Sequence, residues 1–434
     1  MEPRGPGMSN DDARHRPDRR RFLAGAGATA ATLLAGARAA RAARGEGAMK
    51  PGSKSYDIAV VGAGVFGAWT AWHLRQAGHS VVLLDKYGPA SSRASSGGDT
   101  RVIRMAYGPD GIYTRMSQRS LALWQQFFAR IERPELFRRT GVLWMGRKDD
   151  TFVRQSIPQL EAAGVRHEVL ATAELARRYP QMVVPDGGWA IHEPDSGGLM
   201  ARRAVQAVAA DAIRAGVTLQ LDAIQPPRGE GRLAAIATAR GESISAGSYV
   251  YACGPWLGSV LPDALGGRIF PTRQEVYYFG VPAGERRFEA SSMPIWMDFD
   301  GTYYGFGDLD TRGFKVADDA HGPAIDPDSA DRAPTRAGVE RAQKFLATRF
   351  PALAGAPLVA AEVCQYENTS SGDFVIDRHP AFDNVWIAGG GSGHGFKHGP
   401  AVGEVVARHV LEGGTVEPRF ALASKRAEQK REVH

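Results

Sequence analysis

The chain has 434 residues, of which 43% are hydrophobic and 23% charged, with 52 glycines and only two cysteines. That length is more than one compact core needs and fits two domains, and the composition is that of an ordinary globular protein. The formal net charge is +6, but residues 1–42 hold eight arginines against four acids, so the remainder is close to neutral and offers no basic stripe for nucleic acid.

The N-terminus carries Arg19-Arg20-Arg21-Phe22-Leu23, then an Ala/Gly/Leu-rich run from Ala24 to Ala37 and two small-residue cleavage sites, Ala37-Arg38-Ala39 and Ala40-Arg41-Ala42. Residues 1–42 therefore read as a twin-arginine export signal, a type that carries folded proteins, which predicts a periplasmic or other extracytoplasmic protein. The apolar run is too short and too weakly hydrophobic for stable membrane insertion. Residues 43–55 read as a linker.

A buried strand is predicted at 57–61, followed by Gly62-Ala63-Gly64-Val65-Phe66-Gly67, a helical run to Gly78 and a second strand at 80–85 ending on Asp85. This is a dinucleotide-binding βαβ unit. Gly62 permits the tight turn, Gly64 the approach of a pyrophosphate and Gly67 the packing of helix on strand, while Asp85 is placed for a ribose hydroxyl. An amphipathic helix is predicted at 113–130. Short strands, turns and one helix near 151–163 follow up to 194, and an Ala-rich helix at 202–216. Tyr249–Cys253 reads as a strand running into Gly254-Pro255. Aromatic runs at 275–279 and 302–306 predict an antiparallel sheet, with a helix at 335–349. A last strand at 384–388 leads into a helix that starts at Pro400.

The stretch from Cys364 to Lys397 joins a thiol, a strand pattern, the glycine-rich loop Gly389–Gly395 and a lysine. Glycine-rich turns bring backbone close to a ligand, and two of them at opposite ends of the chain point to one large cofactor held from both sides. His192-Glu193, His379 and His394 lack metal-ligand spacing, and no G-x-S-x-G elbow marks a hydrolase, so no metal site is expected.

Four pieces together resemble the monomeric sarcosine oxidase family of flavoproteins, which includes N-methyltryptophan oxidase, pipecolate oxidase and the fructosyl amino acid oxidases. They are the fingerprint at 62–67, Gly98-Asp99-Thr100-Arg101-Val102-Ile103-Arg104, Gly313-Phe314-Lys315 and the Cys364-to-Lys397 block. The resemblance spans about 55–412. It implies an α/β fold: a glutathione-reductase-like, Rossmann-type FAD-binding domain (56–140, 195–265 and 360–415) with an inserted mixed or antiparallel-sheet substrate domain (141–194 and 266–359), then a polar tail at 416–434.

The resemblance further implies FAD tethered covalently to Cys364. It places the cofactor against Gly62, Gly64, Gly67, Asp85, Ser91, Ser92, Thr100, Gly254, Gly391, Gly393, Gly395, Phe396 and Lys397. Arg104 and Lys397 match the pair that holds a substrate carboxylate, Lys315 the lysine that activates oxygen, Arg101 a second cation near the flavin and Tyr304 an aromatic of the substrate pocket. The implied activity is oxidation of a secondary amine in an amino acid, with hydride passing to flavin N5, imine hydrolysis and reduction of O2 to hydrogen peroxide. An exported dehydrogenase feeding a quinone or carrier is the alternative, as is a fructosyl amino acid or pipecolate type of oxidase. The expected partners are a small amine and O2, and the expected state is a monomer.

Two departures from the family pattern stand out. Ser96 and Gly97 precede Gly98 where the family often has histidine. Asp318 and Asp319 occupy the region where members place a histidine beyond the lysine, and His321 comes later. The pocket should be more acidic, or His321 should swing in; acidic residues would favour a cationic or polyhydroxylated substituent.

Overall fold

The computed structural model describes residues 55–429. The export signal and most of the linker lie outside them. Among the described residues no helix is long and apolar enough to cross a membrane.

Strand Ser55–Val61 is apolar from Ile58 onward and buried on both faces, the composition a parallel strand needs between two covering layers. It pairs in parallel with Val81–Asp85 on one side and Ser243–Tyr251 on the other. The sheet continues outward through Thr218–Leu221 at one edge, and through Val385–Gly389 and then Val375–Arg378 at the other; Ala235–Ala237 pairs onto Ser243–Ser245. Strands predicted at four distant places in the chain are thus neighbours in a seven-stranded sheet.

Period-two alternation divides its faces. Ile58, Val60, Val81 and Leu83 join one hydrophobic cluster, while Ala59, Val61, Val82 and Leu84 join another. Helices Val65–Gln76 and Gly399–Glu412 pack together over the first face. A Cβ at Gly403 would lie 2.7 Å from the backbone of Trp69, and one at Gly399 only 2.3 Å from a Val65 methyl, so glycine at both positions allows the close approach.

The aromatic runs form a second, eight-stranded sheet. Its order is Leu358–Asn368, Phe270–Phe279, Phe314–Asp318, Tyr303–Phe306, Ile295–Met297, Val142–Gly146, Trp189–Glu193 and Glu168–Leu170. Every pairing is antiparallel except that of Ile295–Met297 with Val142–Gly146. One face packs on helix Arg336–Arg349 through Tyr277, Phe314 and Leu346. The other contributes Val142, Trp144, Ile295, Met297 and Phe306 to the same cluster as the helix layer of the first sheet. A small third sheet joins Arg101–Ile103, Gly197–Leu199 and Phe137–Arg138.

Three expectations are corrected. The boundary expected at 360 falls inside strand Leu358–Asn368, which pairs with Phe270–Phe279 along its length, Cys364 facing Gln274; its backbone needs that ladder whichever cavity its side chains line. A second helix, Thr172–Arg178, follows the one at Thr151–Ala162. The stretch from 416 is polar in composition but folds back over 418–425. Phe420 and Leu422 are buried, and Arg419 forms ion pairs with Asp110 and Asp373, both at 2.8 Å.

Candidate functional site

A cavity of about 310 Å³ opens where the parallel strands of the first sheet reach their carboxyl ends, the usual ligand position in such a sheet. The fingerprint shapes its floor. Gly62 has φ +103°, and a Cβ there would lie 2.2 Å from the Ala252 carbonyl oxygen; a Cβ on Gly67 would lie 1.8 Å from the carbonyl oxygen of Gly62. Gly64 differs: its Cβ would meet only Ser96 Oγ at 3.4 Å, so protein packing does not require glycine there, and the open side is the cavity. Ser96 Oγ accepts from Val65 N (3.0 Å) at the start of the helix. Ser96, one of the two residues before Gly98 that depart from the family pattern, thus satisfies an N–H at the start of the helix that faces the cavity.

Asp85 is more occupied than expected. Its Oδ2 accepts from Ala63 N (2.7 Å), and its Oδ1 from Tyr87 N (2.8 Å) and Gly88 N (2.7 Å). It lines the cavity with limited acceptor capacity left for a hydroxyl. Ser91, Gly254, Cys364, Gly391, Gly393, Gly395 and Phe396 also line this cavity. Gly67, Ser92, Thr100 and Lys397 do not. Gly67 packs helix on strand, as expected. Thr100 lies under Lys315, which donates to its Oγ1 (2.9 Å) and carbonyl oxygen (3.2 Å).

Cys253, just past the end of its strand, also lines the cavity, and unpredicted lining residues include Ser95, Trp256 and Glu367. Glu367 accepts from Gly391 N (3.1 Å) through Oε1, while its buried Oε2 has no partner. Burial pushes its carboxyl up to about 7, with the Gly391 and Gly390 amides opposing. An orphaned polar atom on a glycine-lined cavity is what a protein surface shaped for a polar dinucleotide presents. The residues present therefore fit FAD.

A second cavity adjoins the first and shares Arg101, Tyr366, Gly393 and Phe396 with it. Its wall brings together Arg104, Trp144, Tyr304, Asp319, His321, His394 and Lys397, which the sequence scatters over some 290 positions. The Arg104 guanidinium lies 3.7 Å over the Trp144 ring and 4.3 Å over Tyr107, and it donates to the Ala106 carbonyl through Nη1. Its Nε is buried with no partner. The Arg104–Tyr107 segment is held by buried Glu193, which accepts from Met105 N and Ala106 N, both at 2.8 Å, and from Ser196 Oγ (2.6 Å).

Lys397 Nζ donates to Tyr107 Oη (2.8 Å) and to the His394 carbonyl (3.0 Å), and Tyr107 Oη lies 2.8 Å from His398 Nε2. Burial, then the Arg104 charge, hold the Lys397 ammonium well below its ordinary value. Burial likewise lowers Arg104, although Tyr107 and Glu193 oppose it. Two desolvated cations on one wall are poised for an anion. The buried Glu193 and Tyr107 that set up this pair left no clear local signature; Glu193 ends the strand Trp189–Glu193 beside His192, and Tyr107 begins a turn.

Arg101 sits at the junction. It donates to the carbonyls of Thr100 (2.8 Å) and Ser95 (2.7 Å), and Nη2 lies 3.1 Å from Cys364 Sγ. Burial pulls its guanidinium down, but the Cys364, Tyr304 and Tyr366 groups around it more than offset this and leave it above its ordinary value. Lys315 is only 2% exposed, on a strand between two others, so it is no edge-strand lysine. Its ammonium lies 4.5 Å over the Phe306 ring, and burial, then the Arg101 charge, lower it to about 7. It lines a third cavity of about 350 Å³ together with Thr100, Arg202 and Arg312, and neither of the first two.

A parallel sheet with this glycine loop, a cavity at the carboxyl ends of its strands and an adjoining cationic pocket are the arrangement of an oxidoreductase that works with a bound dinucleotide. The profile of the FAD dependent oxidoreductase (DAO) family matches residues 57–409, and the chain belongs to that family. The chain is similar to the monomeric sarcosine oxidase of Streptomyces avermitilis, 34% identical over 376 residues that cover 84% of this chain and 96% of that protein. It is also similar to the human peroxisomal sarcosine oxidase (31% identical; 81% and 91% covered) and to the N-methyl-L-tryptophan oxidase of Salmonella arizonae (30%; 82% and 95%). In fold it resembles the L-proline dehydrogenase of P. horikoshii, with a TM-score of 0.73 at 23% identity over 85% of this chain and 97% of that one. The expected fold class and FAD-dependent oxidoreductase chemistry are thereby established.

Proposed function

We propose that this protein is an FAD-dependent oxidase of secondary amines in amino acids, of the sarcosine or N-methyl amino acid type. The observation that carries the reading is the convergence of Arg104 and Lys397 on a cavity that opens onto the cofactor space. FAD held by the residues of the first cavity would supply the two-electron chemistry: acceptance of a hydride from the carbon beside nitrogen and reduction of O2 to hydrogen peroxide. The chain does the rest by orientation and electrostatics. Arg104, clamped flat on Trp144, offers its fork to the substrate carboxylate. Lys397 adds a point charge, which an arriving anion favours over the neutral amine. Tyr304 bounds the pocket from the eight-stranded sheet. Lys315 and Arg101 provide the positive field that favours electron transfer to oxygen. Cys364, on the cavity wall beside Arg101, is the tether for the flavin.

The export pattern at Arg19–Leu23 adds a location: the folded, cofactor-loaded protein leaves the cytoplasm. Replacing Arg19 and Arg20 with lysine and following the protein by cell fractionation tests this.

The experiment for the activity is anaerobic mixing of the yellow protein with sarcosine, other N-methyl amino acids, pipecolate, proline and fructosyl amino acids, followed by air. Bleaching by one class, with fast recovery and peroxide, supports the oxidase and names its substrate. Bleaching with slow recovery replaces it with a dehydrogenase. No bleaching by any amine overturns the reading.

A further inference from the structure

The amine-binding cavity contains one acid that the reading above does not use. Asp319 is the one carboxylate among the described residues on its wall, which Arg104 and Lys397 also line, and both their charges act on it. Tyr366 Oη donates to its Oδ1 at 2.6 Å, and Asp319 N donates to the Thr302 carbonyl (2.7 Å), so both backbone and side chain are fixed. No ion pair among the described residues takes up its charge. One carboxylate oxygen is committed to Tyr366, which leaves Oδ2 to face a ligand.

We propose that Asp319, clamped by Tyr366, receives the ammonium of the substrate and takes its extra proton, so that the nitrogen regains its lone pair before the carbon–hydrogen bond is cleaved. The inference rests on the amine-oxidising reading.

The argument is one of charge. An amino acid in neutral water is a zwitterion, with a protonated amine. A site holding only Arg104 and Lys397 binds the carboxylate and repels the ammonium. An ammonium also has no lone pair to stabilise the cation left when hydride departs. Asp319 answers both problems, because it makes the wall complementary to a zwitterion and gives the proton somewhere to go. In the step an N–H bond breaks and an O–H bond forms on Asp319; no electrons are exchanged, and the proton passes to water after the product leaves.

The carboxyl is tuned for such a transfer. Burial raises it to about 6, while the Tyr366 hydrogen bond and the Arg104 and Lys397 charges draw it down and Asp318 pushes it up. Tyr304, facing it from the neighbouring strand, and His321, further along its own segment, complete the groups around it. It is ionised at neutral pH yet close enough to that range to hold a proton briefly.

The test uses the holoenzyme and its isosteric variant Asp319→Asn, which still accepts from Tyr366. Binding of the best amine and of plain acetate is read from the flavin spectrum, and anaerobic flavin reduction is followed from pH 5 to 10. Asp319→Asn should weaken amine binding about tenfold or more while tightening acetate, since the repelling carboxylate is gone. Its reduction rate should rise only through the amine's own alkaline range instead of through about pH 6. Tyr366→Phe is the second variant, in case the first does not fold. It removes a hydrogen bond that lowers Asp319, so the acid limb should move to higher pH. Unchanged amine affinity and an unchanged pH profile in Asp319→Asn, with bleaching intact, overturn this inference and leave the amine reading standing. No bleaching by any amine in the wild type overturns both.

Discussion

Arg101 Nη2 and Cys364 Sγ lie 3.1 Å apart although 263 residues separate them in the chain. The same guanidinium is braced by the carbonyls of Thr100 and Ser95, so its position does not depend on the thiol. A fixed cation beside a cysteine on the cofactor wall is placed to balance negative charge on sulfur.

That relationship makes the proposed covalent tether at Cys364 testable. Cys364→Ala should still bind flavin, and the yellow colour should then leave with the acid supernatant rather than stay with the precipitate. Arg101→Gln should keep Cys364 but slow attachment, leaving most of the flavin extractable after expression. Absorbance of the two fractions after acid precipitation decides both.

Lys315 should matter to the oxygen half-reaction alone. Lys315→Met removes a buried charge and leaves a side chain of similar reach, so re-oxidation by O2 should slow by about 10²-fold or more. Anaerobic reduction by the amine should change by less than about threefold, since Lys315 does not line the amine cavity. Stopped-flow spectra of the two half-reactions give the comparison.

Arg104→Lys should not behave as a conservative change. Lysine keeps the charge but loses the fork and the face-on contact with Trp144. Substrate affinity should fall by about tenfold to a hundredfold, roughly 1.4 to 3 kcal/mol. Because Lys397 is held below its ordinary value and carboxylate binding favours its charged form, binding should take up a proton and weaken as pH rises. Calorimetry in buffers of different ionisation enthalpy would detect that uptake.

Glu367 gives a stability prediction. Its carboxyl is raised from 4.5 to about 7 by burial, so between those values the folded chain holds a proton that the unfolded chain has lost. Stability of the flavin-free protein should therefore fall as pH rises through this window, by up to a few kcal/mol. Glu367→Gln, which has no such titration, should flatten the curve and melt higher than the parent at pH 8. Melting curves in a Cys364→Ala background stripped of flavin provide the measurement.

Much of the site was legible because it is local. Gly62, Gly64, Gly67 and Asp85 lie within one βαβ unit, where turn geometry and strand ends follow from neighbouring residues. The glycine loop at 389–395 could be read for the same reason. Other expectations depended on direction. Ser92 and Thr100 were expected on the cofactor wall, but the backbone turns them away from it and puts Ser95 and Ser96 there instead. Asp318 and Asp319 differ by one position at the end of a strand, and side-chain alternation cannot be followed once the ladder stops.

The amino-acid sequence by itself determined the cofactor class, the parallel sheet and the types of residue that line the adjoining cavity, because each is written in short-range patterns of glycine, apolar alternation and charge. Only the tertiary structure decided which of those residues meet. It placed Arg101 against Cys364, Arg104 over Trp144, Lys397 on Tyr107 and Asp319 on the same cavity wall as both cations. These residues come from segments 40 to 290 positions apart, and they are brought together by the packing of two sheets around one core, a property of the whole chain that no local stretch encodes.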